Sequence, residues 1–85
     1  MTLKIISSQD VLFEGEVERV TLPGAQGEFT VLRNHASLVS VLVAGSIHYV
    51  DASGEAAAID VAGGIVDVDN NVVSVCIYCL LYTSP

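Results

Sequence analysis

Almost every segment of the chain alternates apolar and polar residues with period two or is a short apolar run bounded by turn residues, and nowhere do apolar positions hold the 3.6-residue period of an amphipathic helix over two turns. That pattern excludes a helical bundle. Runs such as Leu3 to Ser7, Leu38 to Val43, Ile65 to Asp69 and Val72 to Ile77 put side chains alternately on two faces, as half-buried strands do. Further candidate strands are Val11 to Phe13, Val17 to Leu22, Glu28 to Leu32, Ser46 to Asp51 and Glu55 to Val61. Between them lie turn signals: SSQD, PGAQG, Ala44-Gly45, Ala52 to Gly54, Gly63-Gly64 and Asp69 to Asn71. Asn and Asp tolerate left-handed backbone and glycine has no Cβ to clash, so these are tight-turn sites. Short strands punctuated about every eight to twelve residues predict an all-β fold, a two-sheet antiparallel β-sandwich of about nine to ten short strands. The apolar parity flips between Val17 and Val20, which predicts a β-bulge or a strand crossing between sheets.

Small β-branched residues dominate the 52% apolar content, with one Met and no Trp, which is core material for a packed sheet. The reading is one domain over residues 1–77 and a tail over 78–85, where alternation and charge both stop. No segment approaches the ~20 consecutive apolar residues that span a bilayer, and the start lacks the apolar stretch of a signal peptide, so the expected compartment is the cytoplasm. Three basic residues, Lys4, Arg19 and Arg33, face ten acidic ones, a net charge of -7. This balance argues against nucleic acid as a partner and against direct membrane insertion or adsorption to an anionic bilayer. A charged partner would present cations.

The polar inventory is poor for catalysis. His48 alternates with Ile47 and Tyr49 and reads as a solvent-face residue, while the pairs Glu16/Glu18 and Asp67/Asp69 read as solvated sheet faces. Cys76 and Cys79 form a CxxC, but no helix start or second ligand pair accompanies it, so neither a redox motif nor a zinc site is expected. No metal and no cofactor are expected. The loop Pro23-Gly24-Ala25-Gln26-Gly27 feeds a strand and carries no Lys, so it reads as a tight turn rather than a phosphate cradle. With the Arg33-Asn34-His35 turn, it flanks one short strand, and that edge is a candidate contact surface.

The strings LFEGEVERVTLPGAQGEFTVLRNHASLVSVLVAG (Leu12 to Gly45) and GGIVDVDNNVVSVC (Gly63 to Cys76) resemble the N-terminal domain of the epsilon subunit of F-type ATP synthases. The resemblance covers essentially Met1 to Ile77. It implies a flattened sandwich at the foot of the central stalk, a rotor part without catalysis that links the c-subunit ring to the gamma subunit and couples ion translocation to ATP synthesis. It further implies a peripheral location at the cytoplasmic face of the cell inner membrane. Carried over residue by residue, the c-ring contact falls on Gly24, Ala25, Gln26, Gly27 and Glu28, with His35 beside Glu28. The gamma contact falls on His35, Ala36, Ser37, Leu38, Val39, Ser40 and Val41. Ser37 stands where the family usually has proline, so that turn is expected to lose some rigidity. The family's C-terminal helical hairpin is missing from the sequence, and its ATP-sensing brake is expected to be missing with it. The alternative is a free-standing small β-sandwich that binds or carries a ligand. A biotinyl or lipoyl carrier needs a lysine at a hairpin tip, and the only lysine, Lys4, lies in the first strand.

Overall fold

The computed structural model describes residues 1–78. In chain order the strands are β1 (Thr2–Ile6), β2 (Val11–Gly24), β3 (Gly27–Leu32), β4 (Leu38–Leu42), β5 (Gly45–Asp51), β6 (Ala56–Val61), β7 (Gly64–Asp69) and β8 (Val72–Ile77). They form two layers that share β2. The first half of β2 pairs with β1, which continues through β8 and β7 to β4. The second half of β2 lies between β3 and β5, and β6 closes that layer. Leu3, Ile5, Val66, Val68, Val73 and Val75 of the first layer meet Val20, Leu22, Val31, Ile47, Tyr49 and Val61 of the second in one buried core.

The expected parity flip sits where β2 passes between layers. Val17 donates its N–H to the Met1 carbonyl at 2.9 Å, and Ala52 donates to the Glu16 carbonyl at 3.1 Å, so neighbouring residues of β2 bond to opposite flanks. The register against β5 slips between Val17 and Arg19. That slip turns both Val17 and Val20 into the core although their positions are of opposite parity.

Two details differ from the expected sandwich. There are eight strands among the described residues rather than nine to ten, because the segment between Val11–Phe13 and Val17–Leu22 does not turn. Glu14, Gly15 and Glu16 stay extended, paired with Lys4, Leu3 and Thr2. The sandwich is also not wholly antiparallel, since β1 and β8 run parallel. No turn joins these two strands, so no hairpin dictates their direction.

The turns behave as their residues require. Asn70 and Asn71 both take positive φ, 51° and 65°, as a two-residue connection between twisted antiparallel strands demands. In the β5–β6 turn, Asp51 Oδ1 accepts from Ser53 N at 2.9 Å, Ser53 Oγ at 2.7 Å and Glu55 N at 2.9 Å. The Ser53 hydroxyl, then the Glu55 amide, hold the Asp51 carboxyl below its ordinary value. A folded pKa below the unfolded one gives stability that is present above the unfolded pKa of ~3.9 and is lost as pH falls through the folded value. The urea midpoint of Asp51→Ala is therefore expected below that of the parent at pH 7, with the gap narrowing as pH drops below ~4. A gap that does not change with pH contradicts a charge-dependent turn.

Candidate functional site

The hairpin between β2 and β3 has Ala25 and Gln26 at its tip, with Gly24 opposite Gly27. Gly27 adopts φ 127°, closed to most side chains, and a Cβ on Gly24 would stand 2.7 Å from the Gly27 carbonyl oxygen. This tip is bonded to the end of β4. Ala25 donates to the Val41 carbonyl and Val43 to the Pro23 carbonyl, both at 2.9 Å, around the Gly24/Leu42 pair. The segment expected to meet the c-ring is thus fastened by backbone to the segment expected to meet gamma.

Glu28 is exposed on β3, which among the described residues pairs with β2 alone and so leaves one edge open. His35 is not beside it. Glu28 and His35 stand at opposite ends of β3, separated by the rise from Glu28 to Leu32, ~14 Å at about 3.4 Å per residue, and by the Arg33-Asn34 turn. An extended strand cannot fold its two ends together. His35 is exposed, with Nδ1 2.7 Å from the Ala36 carbonyl, a contact that requires the proton on Nδ1. Tight turns therefore flank an open-edged strand, as the sequence suggested.

On β4 the alternation divides the expected gamma segment in two. Leu38 packs against the core and Ser40 shares its inward parity. Val39 and Val41 point outward at 72% and 58% exposure, high for valine. Val41 lies opposite Ile65, Ile65 opposite Cys76, and Cys76 opposite Ile6, a largely apolar row across β4, β7, β8 and β1. The next row runs Val39, Asp67, Ser74, Lys4. Between these rows opens a shallow cleft of about 260 Å³ lined by Lys4, Ile6, Ile65, Asp67, Ser74, Val75 and Cys76. The sequence reading missed the part of this face beyond β4. Its available signal was Ile65, an apolar side chain on the parity that carries Asp67 and Asp69.

Little else offers chemistry. His48 is exposed on the outer face of β5, and no polar residue is buried among the described residues. Nor does any group of three or more His, Cys, Asp or Glu among them suit a metal ion. Glu16 is held below the ordinary carboxylate value first by the Thr2 hydroxyl and then by the Met1 ammonium, contacts at 2.5 and 3.2 Å that tie the chain start to β2. Cys76 is exposed, and its expected CxxC partner Cys79 lies outside the described residues, as does the tail beyond Tyr78.

Known proteins share this fold. A chain of the Euglena gracilis mitochondrial ATP synthase, in an assembly that includes the c-ring, superposes with a TM-score of 0.83 at 23% identity, over 88% of this chain and 48% of that one. A chain of the Tetrahymena thermophila mitochondrial ATP synthase central stalk and c-ring gives 0.74 at 15% identity, over 91% and 62%. Both show the same fold. The ATP synthase epsilon chain of Wolinella succinogenes is 45% identical over 69 residues, 81% of this chain and 53% of the relative. That of Campylobacter fetus is 40% identical over 84 residues, 96% of this chain and 64% of the relative. The chain thus spans about half to two thirds of the length of these curated relatives. The family model described as ATP synthase, Delta/Epsilon chain, beta-sandwich domain matches residues 1–78. On that match and those identities, the chain belongs to the ATP synthase delta/epsilon chain family, whose β-sandwich domain it contains.

Proposed function

We propose that the chain is a central-stalk rotor subunit of an F-type ATP synthase, linking the c-ring to the gamma subunit and coupling ion translocation to ATP synthesis without catalysis of its own. It works peripherally, at the cytoplasmic face of the inner membrane, as part of that complex. The observation that carries this reading is the backbone tie between the hairpin tip and β4, Ala25 to Val41 and Val43 to Pro23. A subunit that transmits torque between two partners needs its two contact segments fastened rigidly to each other, and backbone hydrogen bonds inside a packed sheet do that. In this reading Gly24 to Glu28 face the polar loops of the c-ring, with His35 at the far end of the same edge. His35 through Val41 face gamma, through the outward side chains of Val39 and Val41.

Glu28 supplies the test. An acidic group on the hairpin favours a cationic ring loop and orients the encounter more than it adds affinity. Glu28→Lys is therefore expected to weaken assembly of the rotor with the c-ring by about tenfold, a like-charge cost of ~1.4 kcal/mol. Glu55→Lys, in the exposed turn just before β6, is expected to change stability by less than ~0.5 kcal/mol and assembly not at all. Reconstitution of both variants with gamma and the c-ring, followed by quantification of the intact rotor, checks this. Equal assembly of the two variants counts against the hairpin as the ring contact.

A further inference from the structure

The segment Arg33 to Ser37 has no strand structure and carries the chain from β3 in one layer to β4 in the other. All of it is exposed, so packing does little to fix it. What fixes it comes from the β7–β8 turn. Asn34 donates its backbone N–H to Asn71 Oδ1 at 2.7 Å, and Asn71 Nδ2 donates back to Asn34 Oδ1 at 3.2 Å. The backbone amide only donates, so the atom it meets on Asn71 must be the oxygen. That settles the orientation of both side-chain amides. Three positions on, Ser37 Oγ donates to Asp69 Oδ1 at 2.7 Å. Among the described residues the only local backbone tie is His35 N to the Leu32 carbonyl at 3.1 Å. Asn71 is itself anchored, since its carbonyl accepts the Thr2 N–H of β1 at 3.0 Å.

Ser37 was expected to loosen this turn by standing where proline is usual. Its hydroxyl instead makes a bond that proline lacks.

We infer that Asn71 and Asp69 are positioning residues for the gamma-facing segment. They hold Asn34 to Ser37, and with it His35, in one conformation before a partner arrives. This rests on the functional reading above. Preorganisation of a contact segment raises affinity by removing the entropy cost of ordering it on binding. It predicts a particular split: loss of the clasp weakens association while leaving the sandwich folded.

The discriminating variant is Asn71→Gly in the full chain, because glycine keeps the φ of 65° that the turn needs while removing the side chain that makes the clasp. Hydrogen exchange at the amides of Asn34 and His35, the hydrogen-bonded amides of this segment, is expected to speed up by about tenfold, with protection in β7 and β8 unchanged. Binding of purified gamma subunit is expected to weaken by about tenfold at an unchanged urea midpoint. Asp69→Asn keeps an acceptor for Ser37 and is expected to bind gamma as the parent does, whereas Asp69→Ala falls between parent and Asn71→Gly. Unchanged exchange in Asn71→Gly overturns the clasp whatever the partner does. Faster exchange with undiminished gamma binding overturns its role in positioning. A parent chain that fails to bind gamma at all instead overturns the functional reading, and the exchange measurement still decides whether the clasp exists.

Discussion

Gly64→Ala is expected to cost about 3 kcal/mol or more and to leave little folded protein at 37 °C. Gly64 opens β7 and pairs with Ile77 of β8. A Cβ there would collide with the Cys76 carbonyl oxygen and stand 2.9 Å from the Ile77 Cα. Both obstacles are backbone, so no side chain can swing aside, and relief requires β7 and β8 to part where the sheet carries the buried Val66 and Val75. A domain of this size has a total stability of only ~4 to 13 kcal/mol at about 0.05–0.15 kcal/mol per residue, so the loss is a large share of it. Gly54→Ala, at an open turn with nothing within 4 Å of the new Cβ, is the comparison. Its φ of 90° still strains alanine, but the cost is expected at ~1 kcal/mol. Urea unfolding of both variants checks the order, and a Gly64→Ala midpoint equal to or above that of Gly54→Ala contradicts the close packing of β7 on β8.

The second large effect is on assembly rather than folding. Val41→Glu is expected to lower affinity for gamma by about a hundredfold, ~2.7 kcal/mol, while changing the stability of the isolated chain by less than ~0.5 kcal/mol. Val41 is mostly in water in the free chain, so a charge there costs little. If gamma covers Val41 as proposed, and with it the row Ile65, Cys76 and Ile6, the same carboxylate is buried without a partner. Ser40→Ala, on the inward parity, removes a hydroxyl that among the described residues bonds only the neighbouring Val41 carbonyl at 3.3 Å and is expected to leave binding unchanged. Titration of gamma into each variant separates them, and a Val41→Glu affinity within twofold of the parent removes this row from the interface.

The fold was readable wherever one face of a strand is dry and the other wet, because burial then writes itself into the alternation. β7 and β8 show this plainly, with Val66, Val68, Val73 and Val75 inside and Asp67, Asp69 and Ser74 outside. The bulge near Glu18 was readable for the same reason, since Val17 and Val20 cannot both be buried on one regular strand. The pattern failed where it is silent. Glu14-Gly15-Glu16 is polar and flexible, as a turn would be, and only pairing with β1 keeps it extended. The direction of β1 against β8 leaves no mark on either strand's alternation.

The candidate site was readable in part. The turns at Gly24 to Gly27 and Asn34 announce themselves by backbone needs, but the distance between Glu28 and His35 depends on the strand that separates them. The clasp was invisible because Asn71 looks like any left-handed turn residue, and its bond to Asn34 exists only once two distant turns are brought together. The breadth of the outward apolar row was hidden too, since Ile65 and Cys76 gain meaning only when β4 is known to lie beside β7 and β7 beside β8.

The role as a link between two rotor partners is tested most directly by mixing the purified full chain with purified gamma subunit and detergent-solubilised c-ring, and measuring the mass of the complex that forms. A ternary complex is expected in which the chain binds gamma alone and joins gamma to the ring. A chain that remains monomeric in the presence of both, or that binds neither more tightly than Val41→Glu and Glu28→Lys do, contradicts it.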